Sequence, residues 1–309
     1  MKSINSEPEN FRAGLVAIIG RPNVGKSTLL NALLGQKVAA VSPRPQTTRQ
    51  RQLGILTLPN AQIVFMDTPG IHIPHHALGR AMNSIAQEAL QEADVNLWIV
   101  DSSHPPDEED KLIAAQLGKL HPFPPLILAL NKIDLLEGDR LAKYQQEYLT
   151  LIKHSRPFEI SALSGFGLPE IQAAIIEELP EGDPLYSADQ VTDFFERQIA
   201  SDLIREAALN NLRDEVPHAL AVRVDEYKER DEKGAYITAT LFVEKDSQKG
   251  IVIGHGGEML KKIGMQARQS IEEMSGRKVF LELRVKVSKN WRNNPQVLRQ
   301  MGFDIHEEG

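Results

Sequence analysis

The sequence predicts an α/β domain with a mostly parallel, doubly wound sheet, followed by a smaller α+β domain. Three observations carry this. Short apolar runs alternate with helix-length stretches through the first 180 residues, which is the βαβ rhythm of a parallel sheet. The stretch Leu179-Pro-Glu-Gly-Asp-Pro-Leu-Tyr186 then stops the last helix with two prolines and a glycine. Beyond it the order becomes α-β-β-α-α-β, which is not a second βαβ domain.

In the first domain the expected strands are Leu15–Ile19, Ile63–Met66, Asn96–Val100, Leu126–Leu130 and Phe158–Ile160. They are non-alternating and rich in β-branched residues, as strands buried on both faces should be. Lys26–Leu34, Leu78–Glu92 and Leu168–Leu179 have helical length. In the second domain, Thr192 or Asp193 is expected to cap a helix with the stripe Phe195, Ile199, Leu203, Ile204, Ala207, Ala208 and Leu212. Strands Ala219–Asp225 and Ala235–Glu244 follow. A short segment, Gly250–Ile253, leads into Gly254-His255-Gly256-Gly257 and a helix with Leu260, Ile263, Ala267, Ile271 and Met274 on one face. The last strand alternates, with Val279, Leu281, Leu283, Val285 and Val287 facing in. The expected division is a mobile polar tail over 1–13, the first domain over 14–180, a linker over 181–190 and the second domain with its C-terminal tail over 191–309.

Of 309 residues, 41% are hydrophobic and 25% charged, enough apolar material for two cores. The absence of cysteine excludes a disulfide framework, a thiolate zinc site and a catalytic thiol, and fits a reducing cytosol. No apolar run approaches the roughly 18 residues of a membrane span, and the N-terminus has no signal-peptide core. Lys245 to Arg299 holds 12 Lys/Arg against 5 Asp/Glu, so the rest carries −14 for the chain to total −7. A basic block on an acidic protein suits a polyanionic partner, and equally a solvated charged face.

Gly20-Arg21-Pro22-Asn23-Val24-Gly25-Lys26-Ser27 matches G-x-x-x-x-G-K-[ST] between an apolar strand and a helix. Its glycines let backbone N–H groups and the helix N-terminus face an anion. Lys26 is expected to reach the β- and γ-phosphates of a nucleotide and Ser27 to ligate Mg²⁺. Thr28 closes the motif. Asp67-Thr68-Pro69-Gly70 follows a strand; Asp67 fits the acidic Mg²⁺ partner, and the Gly70 amide a γ-phosphate contact. The polar loop Ser42-Pro43-Arg44-Pro45-Gln46-Thr47-Thr48-Arg49 lies between them, with Thr48 as first choice of Mg²⁺ ligand and Thr47 as second. Asn131-Lys132-Ile133-Asp134 follows a buried strand. The Asp134 carboxylate can accept from guanine N1–H and the N2 amino group, neither of which adenine offers, so the site selects GTP over ATP. Asn131 is read as tying the base loop to the phosphate loop, and the Lys132 stem as covering the base. Ser161, Ala162 and Leu163 are read as backbone donors to guanine O6. These motifs follow separate strands, and in open α/β sheets ligands gather at the strands' carboxyl ends.

These residues resemble the translation-factor-related P-loop GTPases that carry a C-terminal type II KH domain. The resemblance covers about Gly14 to Phe303 and rests on G-R-P-N-V-G-K-S-T, Q-T-T-R, D-T-P-G, N-K-I-D and S-A-L in order. It implies a Mg²⁺-dependent GTP-hydrolysing switch in which Lys26, Asn23, Thr48 and Gly70 act in catalysis. Where many GTPases place a water-orienting Gln after the D-x-x-G glycine, this chain has Ile71. By resemblance Asn23 holds a K⁺ near the β–γ bridge; its other reading is a plain turn residue.

Ile253-Gly254-His255-Gly256-Gly257 is similar to the I-G-x-x-G loop of KH domains, which clamps a single-stranded backbone. The two middle positions are His255 and Gly256, so the common basic residue is missing; Lys249, Lys261 and Lys262 can supply the charge. Arg284 and Lys286 on the last strand, and Lys289 after it, are phosphate contacts or a solvated face. Trp291 is a base-stacking residue or a C-terminal lid. The implied partners are the 3′ end of 16S rRNA and the small ribosomal subunit, whose assembly the protein would assist, with no DNA. A cytoplasmic monomer with a possible peripheral inner-membrane fraction is expected. The competing reading is a GTP-regulated protein-interaction or membrane-associated factor whose KH fold only packs. His72, His75 and His76 lack an acidic third ligand and read as loop rather than metal site. Asp107-Glu108-Glu109-Asp110 after Pro105-Pro106 suits the first turn of a helix, and Trp98 reads as core.

Overall fold

The computed structural model describes residues 10–42, 44, 47–136, 140–152, 155–193, 196–231 and 234–303. Contacts divide the chain into two compact units: Met1–Lys37, Arg49–Ile73 and Met82–Asp193 form the first, and Val38–Thr48, Pro74–Ala81 and Phe194–Gly309 the second.

The first unit contains β1 (Arg12–Ile19), α1 (Lys26–Leu34), β2 (Gln52–Leu58), β3 (Ala61–Asp67), β4 (Val95–Asp101), α3 (Glu108–Leu117), β5 (Leu126–Asn131), α4 (Arg140–Leu151), β6 (Ser155–Glu159) and α5 (Leu168–Glu178), and most of α2 (Ala77–Glu92). The sheet order is β2-β3-β1-β4-β5-β6. Every pairing is parallel except β2 with β3, so the sheet is mixed. Strand β2 escapes the sequence reading because Gln52 and Gly54 interrupt its apolar run. Gly54 brings β2 close to α1: a Cβ there would come within 2.5 Å of Leu30 Cδ1, so the leucine would have to shift. Fully buried β-branched and leucine side chains fill the core, each worth about 1.5–3 kcal/mol over exposure. Trp98 lies in this core, edge-on to Tyr148 at 6.0 Å.

Two expected boundaries move. Strand β1 already starts at Arg12, within the expected tail, because Arg12 Nη1 donates to the Leu179 carbonyl (2.5 Å) and the Ala13 N–H to that of Pro180 (3.1 Å). Residues 1–9 lie outside the described residues. The expected linker packs onto the first unit. The buried Gln62 accepts from the Leu185 and Tyr186 N–H groups (2.7 and 2.9 Å) and donates to the Tyr186 carbonyl (2.8 Å). Farther on, the Ile55 N–H donates to Val191 O (2.7 Å), and Thr192 Oγ1 donates to Leu53 O (2.7 Å). Asp193 accepts from the Leu53 N–H at 3.2 Å. Thr192 and Asp193, expected as helix caps, thus serve the exposed edge of β2, whose unpaired backbone groups need partners. Phe195 lies outside the described residues.

The second unit holds α6 (Glu196–Asn211), β7 (Ala221–Asp231), β8 (Gly234–Val243), α7 (Asp246–Ile253), α8 (Glu258–Ser275), β9 (Lys278–Val287) and α9 (Pro295–Gln300). Strands β7 and β8 are antiparallel, β8 and β9 parallel, in the order β7-β8-β9. Helices α6 and α8 bury Ile199, Leu203, Ile204, Ile263, Ala267 and Ile271 with the inward residues of the strands. Phe280, Arg284 and Lys286 of β9 are exposed, while Val279 is buried and Leu281, Leu283, Val285 and Val287 pack against the core. Trp291 is fully buried and its Nε1 donates to the Ala219 carbonyl (2.8 Å), so of its two readings the lid holds. Among the described residues no helix is long and apolar enough to cross a membrane.

Candidate functional site

In the first unit, four loops leave the carboxyl ends of β1, β3, β5 and β6. The loop after β1 runs through Gly20 to Gly25 and delivers Lys26 as the first residue of α1. Asn23 (φ 64°) and Gly25 (φ 108°) adopt left-handed backbone, which turns successive N–H groups toward one side. A Cβ on Gly25 would lie 2.4 Å from Asn131 Nδ2, so only glycine fits this crossing. Lys26 is buried, and its Nζ donates to the carbonyls of Gly20 (3.1 Å) and Arg21 (2.9 Å). Burial lowers its pKa to about 8 against the opposing pull of Asp67.

Ser27 Oγ donates to Asp67 Oδ2 at 2.8 Å, so the hydroxyl at the start of α1 and the carboxylate at the end of β3 sit together. Two hard oxygen donors beside a phosphate loop suit Mg²⁺. Thr68 Oγ1 donates to Ile18 O (2.9 Å), fixing the next loop to β1. Pro69 then leads to Gly70, where a Cβ would come within 2.6 Å of Pro22 N, and the Ile71 N–H donates to Gly20 O at 3.2 Å. Ile71 is fully buried in the core.

Asn131 joins three loops. Its Nδ2 donates to Val24 O (2.7 Å), and its Oδ1 accepts from the Ala162 N–H (2.9 Å). Its carbonyl accepts from Ser102 N–H (2.9 Å) and Oγ (2.6 Å). Lys132, at φ 66°, pairs with Asp101 Oδ2 at 2.6 Å. Burial pushes the Asp101 pKa up, but hydrogen bonds from Lys132 and Ser103 outweigh it and hold the carboxyl below its ordinary value. Asp134 is exposed on a short 3-10 turn, Ile133–Leu135, open to a ligand. Of the three expected O6 donors, the Ser161 N–H is spent on Phe166 O (3.0 Å) and the Ala162 N–H on Asn131. Leu163, the third, is exposed.

The Arg21 side chain turns to α3. Its Nη1 lies 2.8 Å from Asp107 Oδ2 and its Nε 3.0 Å from Asp110 Oδ2. Burial opposes the charge on Arg21, yet Asp110 and Asp107 raise its pKa above the ordinary value. Sequence reasoning saw these acids as a helix start, which they are: Asp107 caps α3 by accepting from the Glu109 and Asp110 N–H groups (2.9 and 3.0 Å). The link to Arg21 and the Asp101 partner of Lys132 had no local signal.

Thr48, expected beside Ser27 and Asp67, belongs to the second unit with the rest of Val38–Thr48. There Arg205 Nη1 of α6 donates to Thr47 O (2.5 Å), and Glu206 Oε2 accepts from the Val41 N–H (3.2 Å). Pro43, Pro45 and Gln46 lie outside the described residues. The histidines serve loops: His72 Nδ1 is 2.9 Å from Gly70 O, and His76 Nδ1 accepts from the Gly79 N–H (3.0 Å). Among the described residues there is no group of three metal-ligating side chains.

In the second unit, Ile253 ends α7, and Gly254, His255, Gly256 and Gly257 turn the chain into α8, with φ of 74°, 57° and 86° at the three glycines. Gly254 has no room for a side chain, since a Cβ would lie 2.7 Å from Met259 Cβ. A groove of about 410 Å³ follows, lined among others by Gly257, Leu260, Lys261, Met265, Arg268 and Phe280. Lys262 is also exposed, and Lys249 half-buried on α7. Arg284 pairs with Glu282 (2.7 Å), which offsets part of its charge, while Lys286 is exposed. Arg268 and Phe280 were missed; their signals are helical spacing from Lys261 and an aromatic on the outward register of β9. Phe280 stacks on Tyr236 at 5.5 Å.

Comparison with known proteins agrees with this geometry. The family described as 50S ribosome-binding GTPase matches residues 15–132, and the KH domain family matches residues 215–292. The GTPase Era of Heliobacterium modesticaldum is 43% identical over 296 residues, covering 96% of this chain and 98% of that protein. The GTPase Era of Geotalea daltonii is also 43% identical, covering 96% and 99%. A crystal structure of Era with MgGDPNP and nucleotides 1506–1542 of 16S ribosomal RNA is 41% identical, with a TM-score of 0.90 over 94% of this chain and 99% of that one. A single-substitution variant of Aquifex aeolicus Era bound to GDP and AlF4⁻ gives a TM-score of 0.89 at 41% identity, with the same coverage. A phosphate loop opening α1 and a KH fold therefore occur in one chain, which belongs to the Era family of GTPases and hydrolyses GTP.

Proposed function

We propose that this protein is a GTP-driven switch that binds the single-stranded 3′ end of 16S rRNA through its KH unit and assists assembly of the small ribosomal subunit. The observation that carries it is the 41%-identical structure that holds both MgGDPNP and nucleotides 1506–1542 of 16S rRNA. The groove beside Gly254–Gly257 has the matching chemistry: glycines for close phosphate approach, apolar Leu260 and Met265 under the bases, and Lys261 and Arg268 at its border.

In the nucleotide site, Lys26 neutralises the β- and γ-phosphates, Ser27 and Asp67 hold Mg²⁺, and the Gly70 amide meets the γ-phosphate. Bound Mg²⁺ supplies charge stabilisation at the β–γ bridge. With Ile71 in the core, no side-chain amide at that position orients the attacking water. Asn23, in left-handed backbone, is the residue assigned to a K⁺ that adds positive charge there. GTP turnover in KCl is expected to exceed that in NaCl about tenfold or more, of the order of one charge contact; equal rates remove the K⁺ role.

Thr48 completes the magnesium site in the GTP form. Within the second unit Arg205 and Glu206 hold its loop on α6, and loops of this kind order around a nucleotide's γ-phosphate. The test is binding of a short 16S 3′-end oligomer with GTP analogue and with GDP. Affinity should differ between the two states by about fivefold or more. Gly256→Asp, whose side chain meets open space and whose residue type is among those that tolerate the left-handed φ of 57°, should weaken binding about tenfold at 0.1 M salt by placing an anion against phosphate. Equal affinity in both states ends the switch reading; no binding ends the RNA reading. The same reading places the protein in the cytoplasm as a monomer, with any membrane fraction peripheral.

A further inference from the structure

We propose that Arg21 is a positioning residue for GTP hydrolysis, clamped by Asp107 and Asp110 of α3 so that the first peptides of the phosphate loop set Lys26 and the Gly70–Ile71 amides. The inference rests on the GTPase activity established above.

One buried oxygen gathers three segments. Asp110 Oδ2 lies 3.0 Å from Arg21 Nε, accepts the Asp107 N–H at 3.1 Å and accepts the Tyr148 hydroxyl at 3.2 Å. Asp110 is fully buried, and Tyr148 is fixed edge-on against Trp98 of β4. A buried carboxylate persists only when paired, so Arg21 and Asp110 each require the other. The clamp therefore joins the phosphate loop to α3, to α4 through Tyr148 and to the core sheet.

The opposite side of the same peptides carries the chemistry. The Gly20 and Arg21 carbonyls both accept from Lys26 Nζ, and Gly20 O also accepts from the Ile71 N–H. Pro22 fills the space where a Gly70 Cβ would lie. A shift of Gly20–Pro22 would move the cation and the γ-phosphate-side amide together. The base-reading loops attach at Val24, through Asn131, and stand outside the clamp. Its loss should slow the chemical step and spare guanine binding.

Simple helix capping does not account for the cluster. Asp107 caps α3 with Oδ1, whereas Oδ2 faces Arg21. Asp107→Asn keeps a good N-cap and removes the charge, so it separates the two roles.

The experiment measures kcat and KM for GTP, Kd for GDP and melting temperature in full-length Arg21→Ala, Asp110→Asn, Asp107→Asn and Arg21→Lys. Arg21→Ala and Asp110→Asn should each lower kcat about tenfold or more with GDP Kd changed less than about threefold, the pattern of an interaction made in the transition state. Their double variant should lose no more than either alone, because contacting residues couple. Asp107→Asn should lower kcat about threefold at unchanged melting temperature. Arg21→Lys should recover less than half of the rate, since one ammonium cannot reach two carboxylates as a guanidinium fork does. Two results overturn the proposal: kcat within about twofold of the parent in the folded Arg21 and Asp107 variants, or GDP affinity falling in step with kcat. If Arg21→Ala does not fold, the folded Asp107→Asn decides alone: an unchanged kcat overturns the proposal.

Discussion

Asp134→Asn is expected to invert the base preference of this enzyme. The exposed carboxylate on the Ile133–Leu135 turn faces solvent until a base arrives. In the expected role of Asp134 guanine gives it two donors, and each hydrogen bond to a charged group is worth about 1.5–3 kcal/mol. An asparagine keeps one acceptor and offers a donor where guanine also has one. Loss of both ionic bonds should weaken GDP binding by at least about 100-fold, at about 1.4 kcal/mol per decade. Xanthine, with an N1–H donor and an O2 acceptor, matches the amide, so XDP should gain by a similar factor. Calorimetric titration with both nucleotides checks this. GDP affinity within about tenfold of the parent would mean that Asp134 does not read the base.

Lys26→Met should separate activity from stability. In the role proposed for Lys26 at the β- and γ-phosphates the ammonium meets charge that develops during phosphoryl transfer, and losing such a contact costs about 10²–10³ in kcat. In the nucleotide-free protein the same group is a burden. Its folded pKa of about 8 lies below the ordinary value of 10.5. Between these values the unfolded chain binds more protons, so stability rises with pH from about 8 to 10.5; below pH 8 the folded state carries the full cost. The methionine variant of similar volume should therefore melt at or above the parent temperature at pH 7 without nucleotide, and show a smaller shift on adding GDP. A lower melting temperature without nucleotide would show that the Lys26 bonds to Gly20 and Arg21 outweigh burial of the charge.

What was legible in the sequence was local. The phosphate loop, the D-T-P-G turn and the N-K-I-D turn each follow an apolar strand, and strand and turn signals lie within a few residues of one another. Four of the five expected strands of the first unit lie within β1, β3, β4 and β5, and the α-β-β-α-α-β order is as expected, but the fifth expected strand is the half-exposed edge strand Ser155–Glu159 and β7 runs on to Asp231. Strand β2 was hidden because it sits at an edge of the sheet and Gln52 and Gly54 interrupt its apolar run. The Arg21 clamp was hidden because a charge pair across the fold leaves no pattern in composition or spacing. Thr48 shows the same limit: an irregular polar loop says nothing about which core it rests on, and Arg205 and Glu206 decided that.

Gln62 gives the molecule its natural cutting point. Because one amide side chain holds both Leu185 and Tyr186, an enzyme fragment ended at the prolines would leave a buried amide with its oxygen unpaired and only Thr57 on its nitrogen, and a bare strand margin inviting self-association. Severing after Asp193 keeps that margin covered. The connecting segment works as the outermost rail of the catalytic half, which therefore closes at Asp193 and not at the prolines.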